Sequence, residues 1–244
     1  MGEAPKLSKV PEIASLPILR GLAAGARTAL LEQAIVHKVA PGTVLLEQGS
    51  LPTFQHIVLE GSVHLFGKSS EGREVLIEIV EPPDLVIPAA VVTGSPYLME
   101  GRVLDPSRFL LIQATAFRDA VQREPALAHE MIASLAGQFR RMVRQIKNLK
   151  LRSSTQRVGC YILALSRRQG DTDRVVLPYE KNLIASQLGI TRESFSRALT
   201  ALQREGIEVQ GDTIAIVDAR RLAVASGPDP LIDPDEHLVE TPTD

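Results

Sequence analysis

Arg192, Glu193, Ser196 and Arg197 lie close together in the stretch Gly189-Ile190-Thr191-Arg192-Glu193-Ser194-Phe195-Ser196-Arg197. On a helix they share one turn and point away from Phe195, Leu199 and Leu202. A guanidinium can donate two parallel hydrogen bonds to O6 and N7 of guanine, and a carboxylate can accept from N4 of cytosine. Such groups near a helix N-terminus have the geometry needed to read base edges in a major groove. Thr191, just ahead of them, has the side chain of an N-cap. The same residues could also be a solvated face with a Glu193–Arg197 pair one turn apart. The surrounding elements have to decide.

Those elements fit a helix-turn-helix over Lys181 to Thr200. Ala185 stands where the first helix must approach the second. Gly189 stands at the turn, where a positive φ is cheap only without a Cβ. Ile184, Leu188, Ile190, Phe195 and Leu199 supply the apolar contacts that hold two such helices together. Ile207 to Val217 reads as a β-hairpin about Gln210-Gly211-Asp212, which would form a wing. Together these features disfavour the solvated face.

Upstream, Pro125 opens a helical stretch that runs to about Arg152. Ala128, Ile132, Leu135, Phe139, Met142, Ile146 and Leu149 follow at alternating steps of 4 and 3. This is a narrow seam over three heptads, with Arg140, Arg141, Arg144 and Lys147 on the other side. A seam of this kind predicts a dimerisation helix with Ile132, Leu135, Phe139, Met142, Ile146 and Leu149 at the interface. A plain core helix is the alternative. Earlier still, a helix is expected over Leu19 to His37. Short β-type runs follow at Thr43–Glu47, Gln55–Leu59, Ser62–Phe66, Glu74–Val80 and Arg108–Gln113, broken by Gly and Pro. They predict a small antiparallel barrel or jelly roll. After the seam, a helix over Val158–Arg167 and a short strand over Arg174–Leu177 are expected.

Charge is unevenly distributed. The stretch 227–244 holds six acids and no Lys or Arg, and without it the formal net charge of −2 becomes about +4. Residues 131–170 hold nine Lys or Arg and no acid, so Arg140 to Arg157 would lie toward nucleic-acid phosphates. The acidic, Pro-bearing end predicts a disordered tail. Cys160 is the only cysteine, which excludes a disulfide framework or a cluster held by several thiolates within the chain. No apolar run approaches the ~20 residues of a membrane helix. Met1 to Lys6 does not open a signal peptide, and the chain reads as cytoplasmic with no membrane partner. A barrel enzyme such as a cupin needs clustered His and carboxylate ligands. The five histidines are scattered, and no phosphate-cradling or nucleophile motif occurs. The chain therefore does not read as an enzyme.

Barrel, long helix and winged helix-turn-helix, in that order, resemble the CRP/FNR family of bacterial transcription regulators over roughly residues 15 to 225. In character the chain is most similar to the dissimilatory nitrate respiration regulator group. The resemblance implies an α+β chain in four parts. A cyclic-nucleotide-binding-type antiparallel β-barrel (jelly roll) would span 15–124 and a dimerisation helix 125–152. A winged helix-turn-helix would span 153–226, and an acidic tail 227–244. It further implies a cytoplasmic homodimer on double-stranded DNA, with RNA polymerase as a partner. In the FNR branch a Glu-x-x-Ser-Arg signature reads TTGAT half-sites, and Glu193, Ser196 and Arg197 match it. Arg192 is more typical of the CRP branch, which reads TGTGA. The inner G·C is common to both. The alternative is a ligand-binding regulatory subunit that acts through a protein partner without DNA, for which Arg197 would be irrelevant.

For the effector, the family's cAMP branch uses a Phe-Gly-Glu segment for the ribose and an Arg-Ser/Thr-Ala segment for the phosphate. Here the first reads Asp84-Leu85-Val86-Ile87-Pro88-Ala89-Ala90 and the second Tyr97-Leu98-Met99-Glu100-Gly101-Arg102. cAMP is not expected, although Arg102 could be a displaced phosphate ligand. An iron–sulfur cluster is excluded by the cysteine count. Haem is the cofactor that the resemblance leaves in view, in an apolar pocket of Val86, Ile87, Ala90, Val91, Leu98 and Met99 with Arg102 at its edge. His37, His56, His64 and His129 are the histidines to weigh as ligands. Each reads as structural or superficial, and His64 is expected to face solvent.

Overall fold

The computed structural model describes Leu7 and residues 10–32, 34–170 and 172–233. The chain forms two compact units, Met1–Phe139 and Arg140–Asp244. The first opens with α1 (Pro11–Ala14), a 3-10 turn at Pro17–Leu19 and α2 (Ala24–Glu32). Eight strands follow: β1 (Ile35–Val39), β2 (Val44–Leu46), β3 (Phe54–Glu60), β4 (Val63–Lys68), β5 (Glu74–Val80), β6 (Leu85–Val86), β7 (Glu100–Arg102) and β8 (Ser107–Gln113). Helix α3 (Pro88–Thr93) joins β6 to β7, and α4 (Ala114–Arg123) leads into α5 (Pro125–Leu151).

The strands form two antiparallel sheets, ordered β1-β8-β3-β6 and β2-β7-β4-β5. They face each other as a jelly roll rather than a closed barrel. Because side chains alternate along a strand, each sheet offers one face to the space between them. Val39, Val58, Phe109 and Leu111 from the first sheet meet Leu46, Val63, Leu65 and Val80 from the second. The other face of the first sheet, with Ile57, Leu110 and Ile112, packs on Leu19, Leu30, Leu31, Phe117, Leu127 and Met131 from the helices.

In the second unit the last turns of α5 are followed by α6 (Ser154–Arg168), β9 (Arg174–Val176), α7 (Lys181–Gln187) and α8 (Arg192–Gln203). Then come β10 (Ile207–Gln210), β11 (Thr213–Ile216) and α9 (Ala219–Ser226). Ser153 starts α6 with a capping box: its Oγ accepts from Gln156 N–H at 3.2 Å, while Gln156 Oε1 accepts from Ser153 N–H at 3.0 Å. Val158, Ile162, Phe195, Leu199, Leu202, Ile214 and Leu222 form the core of this unit.

The structure differs from the sequence expectations in several places. The helix expected over Leu19–His37 is only Ala24–Glu32, because the β-branched run from Ile35 pairs with β8, with Ile35 opposite Leu111 and Val39 opposite Ser107. His64 does not face solvent. It is fully buried, with Nε2 and Ser62 Oγ hydrogen-bonded at 3.1 Å. The disordered tail expected from Gly227 does not hold for its first residues, since Asp229 and Asp233 are tied into the second unit. Asp235, Glu236, Glu240 and Asp244, like Met1 to Lys6, lie outside the described residues.

Candidate nucleic-acid interface

The turn between α7 and α8 is held by backbone hydrogen bonds from Gly189 N–H to Ser186 O and from Ile190 N–H to Ala185 O, both at 3.0 Å. Gly189 has φ +62°, the left-handed conformation anticipated for it. Ala185 is buried at the crossing with α8. Thr191 is extended and caps α8, its Oγ1 accepting from Ser194 N–H at 3.2 Å. The buried face of α8 is Phe195, Ala198, Leu199 and Leu202.

That packing leaves Arg192, Glu193, Ser196 and Arg197 exposed together at the start of α8. Two local interactions pre-set the face. Arg197 Nη2 donates to Ser194 Oγ at 3.0 Å. The Glu193 carboxyl is held below its ordinary range by its own backbone N–H and the Thr191 hydroxyl, with Arg192 and Arg197 adding to the effect. The face therefore presents two permanent cations, a carboxylate and a hydroxyl.

Sequence reasoning missed two supports of this face, the bonds of Arg157 and of Lys181. Arg157 Nη1 donates to Leu188 O at 2.8 Å and Gly189 O at 3.5 Å, satisfying carbonyls that the end of α7 leaves open. Burial pulls its pKa below the ordinary value. Lys181 Nζ donates to Gly211 O at 2.6 Å and lies 3.8 Å from Asp212, joining the wing tip to the start of α7. The wing has β11 between β10 and β9, with Ile207 opposite Ile216 and Gln210 opposite Thr213. The basic stretch is accordingly divided. Arg140, Arg141 and Lys150 are exposed, whereas Arg152 and Arg157 make internal bonds and do not lie free toward phosphates as expected.

The seam on α5 is divided as well. Ile132, Phe139, Met142 and Ile146 are exposed, Phe139 by 62%. Leu149 is also exposed, by 39%, while approaching Gly189, whereas Leu135 packs against the core of the first unit.

In the roll, Val86 and Ala90 belong to the cluster between the sheets, and Ile87 and Met99 pack against it. Val91 belongs to the cluster on the helical side. Leu98 is 82% exposed and lines nothing. Arg102 does not line the interior. A Cβ on Gly101 would meet Leu46 and Val63 of the interior, so its neighbours Glu100 and Arg102 point the other way. There Arg102 Nε bonds Glu100 Oε1 at 2.5 Å, its Nη1 bonds Glu74 Oε1 at 2.8 Å, and its guanidinium lies 4.8 Å from the centre of the Phe66 ring. Lys68 Nζ completes the group at 2.5 Å from Glu100. Bonding to Lys68 and then Arg102 holds the Glu100 carboxyl below its ordinary range against the opposing effect of burial.

These residues do not fit a cyclic phosphate. Met99 supplies no charge, Leu98 is outside, and the Arg102 charge is matched by two carboxylates. A buried polar group on the interior side is His56. It alternates with Phe54 and Val58, and its Nδ1 has no hydrogen-bond partner among the described residues. Burial, and secondarily His37, lowers its pKa to about 4. Of the histidines weighed as haem ligands, His37 and His129 are exposed and His64 bonds Ser62, which leaves His56 as the one inside the roll. Among the described residues no group of three or more His, Cys, Asp or Glu that could hold a metal ion occurs.

A recognition helix with a wing, in the same chain as a jelly roll, defines a DNA-binding protein with a sensor-type domain. Comparisons with known proteins agree. Residues 156–225 match the Crp-like helix-turn-helix domain family, and residues 36–124 match the cyclic nucleotide-binding domain family. The CRP-like cAMP-activated global transcriptional regulator of Mycobacterium tuberculosis is 24% identical over 216 residues, covering 86% of this chain and 96% of that protein. The structure of FixK2 from Bradyrhizobium japonicum superposes with a TM-score of 0.67 at 20% identity, covering 80% of this chain and 98% of that one. A CRP-family transcriptional regulator from Thermus thermophilus superposes with a TM-score of 0.62 at 22% identity, covering 79% and 97%. The chain belongs to the CRP/FNR family of DNA-binding transcription regulators. No helix among the described residues is long and apolar enough to cross a membrane.

Proposed function

We propose that the chain is a cytoplasmic homodimeric regulator that reads a near-palindromic, TTGAT-like site and acts with RNA polymerase. The observation that carries this reading is the exposed face of Arg192, Glu193, Ser196 and Arg197 at a capped helix start. Arg197 and Glu193 would take the inner G·C of each half-site, Arg192 an outer base, and Ser196 and Thr191 nearby polar contacts. The exposed Ile132, Phe139, Met142 and Ile146 of α5 would pair with the same face of a second copy. Two recognition helices would then meet half-sites about one turn, ~34 Å, apart.

The sensor roll would answer to something other than a cyclic nucleotide. Although the mycobacterial relative is named for activation by cAMP, the Arg102 charge here is taken up by Glu74 and Glu100. An effector between the sheets would contact Val86, Ile87, Ala90 and Met99 and could hydrogen-bond His56.

The test is a fluorescence anisotropy titration of a labelled TTGAT-N4-ATCAA duplex, with a scrambled duplex, the Arg197→Ala variant and added cAMP as arms. The expected result is preference for the palindrome without ligand, no response to cAMP, and loss of the preference in Arg197→Ala. Losing a bidentate base contact should cost about 1–3 kcal/mol per half-site. Equal binding of palindrome and scrambled duplex by both proteins would overturn sequence reading and favour a regulatory subunit without DNA. A shift on adding cAMP would overturn the effector reading.

A further inference from the structure

We propose that residues 227–233 form a strap that fixes the bend between α5 and α6 and thereby sets the half-site spacing the dimer accepts. This rests on the reading of the chain as a dimeric DNA reader. Only Arg152 and Ser153 separate the two helices. Arg152 is 8% exposed, and its guanidinium joins three pieces of chain. Nη1 donates to Asn148 Oδ1, one turn back on α5, at 3.2 Å. Nη2 donates to Gly227 O at the end of α9, at 3.4 Å. Both terminal nitrogens bond the Asp233 carboxylate, Nη1 to Oδ1 at 2.8 Å and Nη2 to Oδ2.

The strap is itself internally braced. Asp229 N–H donates to Asp233 Oδ2 at 3.0 Å, and Leu231 N–H donates to Asp229 Oδ1 at 2.9 Å. The Asp229 carboxylate also lies 3.8 Å from Lys147 Nζ on α5. At its start the strap leaves α9, which is packed closely on α6. A Cβ on Gly159 would lie 2.0 Å from Ser226 Oγ, and the Cys160 thiol reaches Ser226 O at 3.5 Å. So α9 rides with α6, and the strap ties that pair back to α5. A bidentate, largely buried guanidinium–carboxylate pair is directional, and rotation at residues 152–153 would break it. In a dimer joined along α5, the angle at this bend sets the distance between the two copies of α8.

The experiment first selects an operator from random duplexes with the wild-type protein. Anisotropy then compares that operator with versions lengthened or shortened by one base pair at the centre. The wild type should discriminate. Asp233→Asn, and a chain ended after Gly227, should lose about tenfold or more of that discrimination. A chain ended after Asp233 keeps the strap and should match the wild type. Hydrogen exchange at residues 148–157 should quicken in the first two variants only. Spacing discrimination that survives in Asp233→Asn while only its melting temperature falls would overturn the proposal. So would an equal loss in the chain ended after Asp233. If the wild type selects no operator, the DNA reading fails by itself. Exchange at 148–157 then decides the strap, and unchanged rates in Asp233→Asn reject it.

Discussion

Leu149, in the last turn of α5, seats against Gly189 in the turn of the helix-turn-helix: a Cβ on Gly189 would lie 2.5 Å from Leu149 Cδ2. The glycine is thus required twice, by its φ of +62° and by the leucine above it. These demands can be separated. Gly189→Ala should destabilise the second unit by about 1–2 kcal/mol for the left-handed conformation alone, plus the cost of displacing Leu149. Leu149→Ala should be mild, because Leu149 is 39% exposed. In the double variant the clash term disappears and the conformational term stays, so the two effects should not add. Thermal unfolding of the four proteins measures this, and strict additivity would show that the contact carries no energy.

Much of this arrangement was legible in the sequence because it is local. The α7–α8 turn, its Gly189, the Thr191 cap and the β10–β11 wing all rest on residues a few positions apart, and β5 lies where its run of apolar residues put it. What escaped depended on distant partners. The helix expected over Leu19–His37 carries no sign that Ile35 pairs with Leu111. Arg102 looked like a pocket cation until Gly101, facing Leu46 and Val63, fixed which way the strand alternates. The acidic end is expected as a disordered tail, and the bonds that hold Asp233 include those from Arg152, far earlier in the chain. Strands as short as β6 and β7 have too few residues to show a period.

The roll should lose stability as the solution is acidified. His56 has its pKa lowered to about 4 in the folded protein, first by burial and then by His37. Unfolded, it would titrate near its ordinary 6.5. Between those values the unfolded chain binds a proton that the folded chain refuses, so stability falls as pH drops from about 6.5 to about 4. A difference of that size corresponds to something on the order of 3 kcal/mol, and burial shifts His64 in the same direction. Urea unfolding at pH 7.5 and at pH 4.5 should show the loss, and His56→Gln should flatten most of it. An unchanged pH slope in His56→Gln would place the acid sensitivity elsewhere.

The divided seam on α5 makes the dimer testable apart from folding. Phe139 and Ile146 are 62% and 46% exposed in the single chain, so changing either to Glu removes little that the monomer uses. In a two-fold dimer each is buried twice, and fully burying such a side chain contributes about 1.5–3 kcal/mol. Phe139→Glu or Ile146→Glu should therefore weaken self-association by roughly two orders of magnitude or more, with the melting temperature of the monomer nearly unchanged. Leu135→Glu should behave oppositely, because Leu135 packs on the core of the first unit, where an unpaired carboxylate is costly. Sedimentation velocity alongside thermal melts distinguishes the two outcomes. Palindrome affinity should follow the dimer, since one recognition helix alone holds half of the base contacts. A wild-type chain that sediments as a monomer at tens of micromolar, or an Ile146→Glu variant that dimerises like wild type, would refute this face as the interface.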